Sequence, residues 1–241
     1  MRFNSLNLNH HEPNPASIVK NRKRVVYFSS AGKGRARHAK SKIYLHGKPT
    51  AALRALFVAQ VESITWTYKL APETINLPAK PDVPEIEVFE IALKTADLSH
   101  AVLRCIDKAI PFPILFNLRF EGRTQPVAAY KRPSEANATQ WVVGDYHAAP
   151  WQADGLAKPG LPVALDLQGL YEQLLRQHLS QPARAGESLR AQLARLAELA
   201  SKQLELDKLA LKLEREKQFN RKVELNAHLR HLRQQLDGLV T

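Results

Sequence analysis

The stretch from Asp82 to Lys94 contains the residues whose types best suit chemistry on a phosphodiester. It crowds four acids and a lysine into one short segment: Asp82, Glu85, Glu87, Glu90 and Lys94. Carboxylates can bind Mg²⁺ and a lysine can help an attacking water, so these are residue types that metal-dependent nucleases use. Nucleases of this type place an acid ahead of a Glu-x-Lys, whereas Glu90 and Lys94 lie about 13 Å apart along a strand. We therefore interpret these acids first as a solvated rim at the edge of the sheet. A nuclease that uses the acidic strand 82–94 is the alternative interpretation.

Other patterns that could carry chemistry are weaker. His228 and His231 are three residues apart but have no cysteine or clear acidic partner at ligand spacing. The single cysteine, Cys105, falls on an apolar stripe and is expected to be a buried thiol. The sequence has no Ser/His/Asp signature and no dinucleotide-binding fingerprint. It predicts no catalytic residue, no metal and no cofactor. Whether the protein is an enzyme stays open, and the sequence favours a protein that is not one.

The positive charge of the chain is concentrated near its start. Of a net charge of +12, the first 48 residues carry eleven bases against one acid, a net charge of +10. Flexible cationic segments are typical of contact with phosphate backbones, so this arm predicts non-specific DNA binding, with RNA left open. A solvated tail is the other interpretation. The predicted nucleic-acid-binding residues are Lys20, Arg22, Lys23, Arg24, Lys33, Arg35, Arg37, Lys40 and Lys42.

Aromatic residues offer a further route to nucleic acid. Four of them could stack on bases: Trp66, Tyr68, Tyr130 and Trp151. Lys69 and Lys131 would then contact phosphates. The competing interpretation is that these rings close the core or its rim, as large aromatic residues more often do.

The densest apolar patterning lies in residues 85–131, and this segment must hold the core. Its pattern is a strand, a helix and two more strands: 85–94, 98–110, 113–120 and 126–131. A helix between the first two strands allows a parallel crossover, and the turn at 121–122 favours an antiparallel hairpin. One face of the first strand, with Phe89 and Ile91, should meet a helix layer. The predicted fold class is α/β (α+β), a small mixed sheet with flanking helices.

The flanking segments complete the predicted organisation. Spacing predicts an amphipathic helix over Ala51–Tyr68, a fourth strand at Trp141 to Tyr146 and a helix over 164–179. The predicted domains are a largely flexible basic arm, an α/β core domain and a C-terminal long helix or helical hairpin: 1–48, 49–182 and 186–241.

The C-terminal segment from Ser188 to Leu239 is rich in strong helix formers and striped with leucine. Its heptad frame breaks between Leu206 and Val223, which favours a drifting stripe or two helices folded on each other over one uninterrupted coiled coil. Packing on the same chain, a homo-oligomer and a partner protein all remain open. The predicted partner-binding residues are Phe219, Arg221, Lys222, Leu225, Leu229 and Leu232.

Composition also bounds the setting of the protein. No apolar run approaches the roughly 20 residues needed to span a bilayer, and the start lacks an apolar signal-peptide core. One cysteine fits a reducing compartment. The expected location is the cytoplasm, with no membrane partner.

Several runs of the sequence carry a resemblance to a known family. They are Trp66-x-Tyr68-Lys69-Leu70-x-Pro72-Glu73-Thr74-x-Asn76, Glu87-Val88-Phe89-x-Ile91-x-Leu93-Lys94, Ile106-Asp107-Lys108-Ala109-Ile110-Pro111-x-Pro113, Ala129-Tyr130-Lys131 and Glu216-Lys217-Gln218-Phe219-Asn220-Arg221. After about residue 42 the chain resembles one bacterial family of unknown function. Members are often encoded beside a helicase and a DNA methyltransferase in restriction-modification or phage-defence loci. The resemblance implies such a subunit as partner, but it implies no established activity and assigns no catalytic residues. The function that we expect is that of a non-catalytic accessory subunit of such a system.

Overall fold

The structure, a computed structural model, describes residues 43–137, 140–154 and 160–240, together with the backbone of residues 24–27. The chain divides into two compact units, Met1–His178 and Leu179–Thr241. The first unit contains a mixed sheet with helices, and the second contains a pair of long helices. The predicted α/β fold class with a helical C-terminal appendage is confirmed.

The first unit is built on a seven-stranded sheet. Its strands are β1 (Arg24–Tyr27), β2 (Val61–Leu70), β3 (Ile86–Leu93), β4 (Ile114–Phe120), β5 (Arg123–Pro133), β6 (Trp141–Ala148) and β7 (Gln152–Ala153). The strand order is β1-β2-β3-β4-β5-β6, and β7 pairs with β5. β3 and β4 are parallel and the other pairs are antiparallel. The sheet is therefore mixed, as predicted.

Four helices of the first unit are bounded as α1 (Ala51–Gln60), α2 (Pro72–Ile75), α3 (His100–Ala109) and α4 (Leu167–Arg176). Three of them begin at a residue whose side chain accepts a hydrogen bond from a first-turn N–H: Thr50, Ser99 and Asp166. α3 occupies the predicted place between the two parallel strands, and its apolar stripe includes Val102, Leu103 and Ile106, all buried.

Both faces of β3 are buried. The face with Phe89 and Ile91 belongs to a core that includes α3, as predicted. The opposite face, with Ile86 and Val88, packs in a second core with Leu167, Leu170 and Tyr171 of α4. A strand covered on both sides needs apolar residues at successive positions, as β3 has at Val88 and Phe89, although Glu87 and Glu90 interrupt its apolar run.

The predicted helix Ala51–Tyr68 is wrong beyond Gln60. The chain becomes strand β2 at Val61, pairs with β3, and carries an irregularity in register between Trp66 and Tyr68. This segment is rich in β-branched and aromatic residues, which favour strands. Its apolar residues also fit a helical stripe, so spacing alone did not separate the two structures.

The second unit is an antiparallel pair of helices, α5 (Leu189–Arg215) and α6 (Phe219–Val240). Lys202 of α5 donates to Gln235 of α6 at 2.9 Å, and Arg195 donates to the carbonyl oxygen of Leu239 at 3.1 Å. The broken heptad frame predicted either one helix with a drifting stripe or two helices folded on each other. The structure has two helices.

Glu216 makes the turn between these helices. Its N–H donates to the carbonyl oxygen of Lys212 at 3.1 Å and so closes α5. Its side-chain Oε1 accepts from the N–H groups of Lys217 and Gln218, both at 2.9 Å, at the start of α6. The first residues of the Glu216-Lys217-Gln218 run therefore have a local structural purpose, which is to end one helix and begin the next.

None of the described helices combines the length and the apolar character that crossing a bilayer demands.

Candidate functional site

A group of ionisable side chains lies where β2 ends and β3 begins. We call it the carboxylate cluster; its members are Lys69, Glu73, Glu85 and Glu87. The antiparallel register places Lys69 opposite Glu87, and strand alternation places Glu85 and Glu87 on the same face. Glu73 lies in the first turn of α2, directly after β2. Three separate segments therefore converge on one side of the sheet.

The turn after β2 is fixed by local hydrogen bonds. The Thr74 hydroxyl donates to the carbonyl oxygen of Lys69 at 2.8 Å and accepts from the N–H of Ala71 at 2.9 Å. Pro72 opens α2, and Asn76 ends it in the left-handed region with φ 55°. The spacing Lys-x-x-Pro-Glu-Thr-x-Asn thus sets the position of Glu73 relative to Lys69.

Lys69 binds two of the three carboxylates. Its Nζ lies 2.6 Å from Oε2 of Glu85 and 3.0 Å from Oε1 of Glu73. The hydrogen bond that Lys69 donates to Glu85, followed by the one that it donates to Glu73, raises the pKa of Lys69 above its ordinary range. Lys69 therefore stays an ammonium ion at every physiological pH.

Glu87 is the exceptional member of the cluster. It is 6% exposed, and among the described residues its Oε2 has no hydrogen-bond partner. Burial first, and then the neighbouring Glu85 carboxyl, raise the pKa of Glu87 to about 8, against the opposing effects of Trp66 and Lys69. At neutral pH the buried carboxyl therefore holds a proton unless a cation takes its place.

A second group of buried polar residues joins α3 to the sheet: Asp107, Lys131 and Tyr146. Lys131 is 1% exposed, and its Nζ donates to Oδ1 of Asp107 at 3.2 Å and to the carbonyl oxygens of Asp107 and Ile110 at 2.6 and 2.5 Å. The Tyr146 hydroxyl donates to the other carboxylate oxygen of Asp107. The three acceptors around Nζ match the three hydrogens of an ammonium group.

Burial acts on every member of this group. It raises the pKa of Asp107 and of Tyr146 and lowers the pKa of Lys131. Tyr171 of α4 extends the network, because its hydroxyl accepts from the N–H of Lys131 at 2.9 Å and donates to the carbonyl oxygen of Ala129 at 2.7 Å. Hydrogen bonds thus connect α3 and α4, on opposite faces of the sheet, to β5. This network therefore has a structural role. The predicted phosphate contact of Lys131 is wrong, because its ammonium is buried.

The acidic strand does not assemble the arrangement considered for a nuclease. Glu90 pairs with Arg119 at 3.2 Å, and Arg119 pairs with Asp154 at 2.8 Å. Lys94 donates to the carbonyl oxygen of Val58 at 2.8 Å. Asp82 is exposed. Of the acidic stretch, Glu85 and Glu87 come together, and the lysine beside them is Lys69 from the neighbouring strand.

The predicted nucleic-acid-binding residues lie outside the described side chains. Arg24 is placed by its backbone at the start of β1, opposite Trp66. The other eight predicted residues fall outside the described residues: Lys20, Arg22, Lys23, Lys33, Arg35, Arg37, Lys40 and Lys42.

The predicted partner-binding residues divide by exposure. Phe219 is 78% exposed at the start of α6, and Lys222 is also exposed. Arg221 lies 4.0 Å from Glu216. Leu225 is half-buried, and the two leucines that follow it in the stripe, Leu229 and Leu232, are buried.

The remaining candidates have ordinary structural surroundings. Tyr130 stacks on Tyr171 with ring centres 6.4 Å apart, and Trp66 and Trp151 pack against the larger core. Tyr68 is 39% exposed. Nε2 of His228 lies 3.9 Å from Glu205, and within the described residues no group of three or more His, Cys, Asp or Glu could hold a metal ion.

Sequence reasoning missed the carboxylate cluster as a unit. Lys69, Glu73 and Glu87 were each part of a distinctive run, but the runs are separated by a proline-rich connector. Only the β2–β3 register brings them together. The misassigned helix over residues 61–68 hid that register, because a helix would have directed Lys69 elsewhere.

The fold and these sites define an α/β protein with a two-helix C-terminal unit. Comparison with protein families identifies it further: the chain belongs to the family described as a domain of unknown function, DUF4391, whose model matches residues 30–236. Searches of curated proteins and of solved structures gave no match.

Proposed function

We propose that this protein is a non-catalytic accessory subunit of a bacterial DNA-modification or phage-defence system, working in the cytoplasm. The observation that carries the proposal is the segregation of charge along the chain. Residues 1–48 have a net charge of +10, residues 49–178 have twelve bases against fourteen acids, and residues 179–241 have twelve against eight. A polyanion is therefore attracted mainly by one end of the protein.

The second part of the proposal concerns a protein partner, a helicase or methyltransferase subunit as the resemblance implies. The second unit exposes large apolar side chains on both helices: Leu204, Leu211, Phe219, Val223 and Val240. Phe219 at 78% exposure is flanked by Arg221 and Lys222. An aromatic anchor with a cationic rim is a common composition for a binding surface.

Binding of DNA by the full chain tests the first part. Substituting five arm bases by glutamine, Lys33, Arg35, Arg37, Lys40 and Lys42, should abolish most of the shift of a duplex in a gel. These positions leave β1 untouched, whereas a deletion of the whole arm would remove an edge strand.

A matched variant controls for total charge. It carries five glutamines at exposed bases of the second unit: Lys208, Lys212, Arg215, Arg230 and Arg233. It lowers the net charge by the same amount and should retain nearly all DNA binding. Equal losses in both variants would mean that the protein attracts DNA through its total charge and has no binding arm.

A metal-dependent nuclease remains the second candidate. It is favoured by one observation, the convergence of Glu85 and Glu87 with Lys69. Incubation of duplex and single-stranded DNA with the full chain and Mg²⁺ or Mn²⁺ decides between the candidates. Cleavage by the unsubstituted protein that is lost in Glu87→Gln would replace the accessory role by a catalytic one. DNA that stays intact with the unsubstituted protein supports the accessory role.

A helical oligomerisation protein without a nucleic-acid role is the third candidate, and the exposed leucines of α5 are what favour it. Analytical ultracentrifugation of the full chain distinguishes it. A stable oligomer that binds no DNA would support this candidate and overturn the accessory role.

A further inference from the structure

The carboxylate cluster contains more negative charge than its own lysine can match. Glu73, Glu85 and Glu87 supply three carboxylates, and Lys69 supplies one ammonium, which contacts Glu73 and Glu85. Two negative charges are left uncompensated when all three acids are ionised. One divalent cation would match that charge.

Within the described residues, the buried and unpartnered oxygen of the cluster belongs to Glu87. Its side chain is more than nine-tenths buried, its carboxyl lies beside that of Glu85, and its Oε2 is without a partner among the described residues. Buried polar atoms in native proteins almost always have a partner, so an orphaned carboxylate oxygen points to a ligand. When Glu87 is ionised, this oxygen is a hard ligand that only accepts, so its partner would be a hydrogen-bond donor or a hard cation.

We propose that Glu85 and Glu87 form a binding site for one hard divalent cation, Mg²⁺ or Mn²⁺, at the junction of β2 and β3. Mg²⁺ is commonly held by one or two carboxylates and keeps several waters, so two protein ligands suffice. Glu85, whose side chain is 16% exposed, forms the entrance, and Glu87 forms the buried end. Lys69 holds Glu85 in place through the 2.6 Å contact between Nζ and Oε2.

The rigidity of the cluster supports this assignment. Glu87 lies within β3 and is held between β2 and β4, opposite Lys69 and Ile114. Its N–H donates to the carbonyl oxygen of Pro113 at 2.9 Å. A ligand on a central strand cannot swing out to satisfy itself with water, so it is preorganised for an ion that enters.

Binding of Mn²⁺ to the full chain is the test, measured by the loss of the free-ion electron paramagnetic resonance signal in a phosphate-free buffer. We expect one Mn²⁺ per chain, displaced by Mg²⁺. Glu87→Gln keeps the shape of the side chain and should weaken binding about tenfold or more. Glu85→Gln should do the same, and it serves as the second variant because Glu85 is less buried.

Glu62→Gln is the matched control. Glu62 is an exposed acid on the same strand as Lys69, and its substitution removes the same charge without touching the cluster. It should leave Mn²⁺ binding unchanged. Absence of binding by the unsubstituted protein, or equal weakening by Glu62→Gln, would overturn the proposal.

This site is independent of the proposed DNA-binding arm. Mg²⁺ competes with the arm for DNA phosphates, so DNA binding should respond to Mg²⁺ equally in the unsubstituted protein and in Glu87→Gln, and the two should bind DNA equally in EDTA. If the unsubstituted protein binds DNA but no Mn²⁺, the cation site is refuted, whereas a protein that binds Mn²⁺ but no DNA refutes the arm and leaves the cation site intact.

Discussion

The buried pair of Lys131 and Asp107 gives the sharpest prediction about stability. Lys131→Met replaces the ammonium by an apolar group of similar length. It removes all three hydrogen bonds of Nζ and leaves the Asp107 carboxylate, 4% exposed, with Tyr146 as its described side-chain partner. Removing one member of a buried ion pair costs about 3–5 kcal/mol, because the other charge stays buried.

Tryptophan fluorescence is the appropriate assay. All three tryptophans, at positions 66, 141 and 151, lie in the first unit, so the signal reports the unfolding of that unit. For a unit of this size the expected cost corresponds to a fall in melting temperature of roughly 6–20 °C. Asp107→Asn combined with Lys131→Met should cost less than the sum of the single variants, because the pair is coupled.

Lys80→Met is the matched control. Lys80 is about half exposed and pairs with Asp166 at 3.5 Å. An exposed pair contributes about 0–1 kcal/mol, so this variant should barely change the melting temperature. If Lys131→Met were as mild as Lys80→Met, or if the double variant were strictly additive, Lys131 and Asp107 would not form the buried pair described above.

Three further predictions concern the sheet, the carboxylate cluster and α6. Ile91→Ala and Ile114→Ala, both at fully buried positions, should each cost about 2–5 kcal/mol in urea unfolding; an effect below about 1 kcal/mol would contradict the assignment of these strands to the core. Because the pKa of Glu87 is raised from 4.5 to about 8, the unfolded chain loses this proton first, so stability should fall between these pH values by a few kcal/mol and level off above them. Glu87→Gln should flatten that pH profile of unfolding, and a profile of unchanged slope would show that Glu87 titrates normally. Phe219→Ser should abolish co-purification of the partner without changing the melting temperature of the helical pair. Leu229→Asp, at a buried position, should unfold the helical pair. Loss of stability in the Phe219 variant would mean that this ring packs on its own chain.

The central unit of the fold could be predicted from the sequence, because its signals are local. The stripe of α3, the prolines that follow it and the turn at Glu121-Gly122 each specify a short segment by themselves. Glu121 and Gly122 both adopt positive φ, as a tight hairpin requires. The break in the C-terminal heptad frame was likewise local, and it marked the turn at Glu216.

The sites could not be predicted, because they depend on register between distant segments. Lys131 was predicted to lie in a strand and to contact phosphate, and only the packing of α3 against β5 and β6 shows that Asp107 and Tyr146 surround it. Lys69 and Glu87 are directly paired across two strands, yet the strand that carries Lys69 had the spacing of a helix. A pattern of period 3.6 and one of period 2 share many positions over ten residues, so tertiary pairing decides between them.

The salt dependence of DNA binding tests the central claim of an arm-based nucleic-acid interaction most directly. Fluorescence anisotropy of a labelled duplex, titrated with the full chain over a range of salt concentrations, gives the slope of log K against log salt. If about five arm bases contact phosphates, the slope should be near −4.5, and the five-glutamine arm variant should bring it close to zero. A slope that is the same for the arm variant, the second-unit control variant and the unsubstituted protein would contradict the claim.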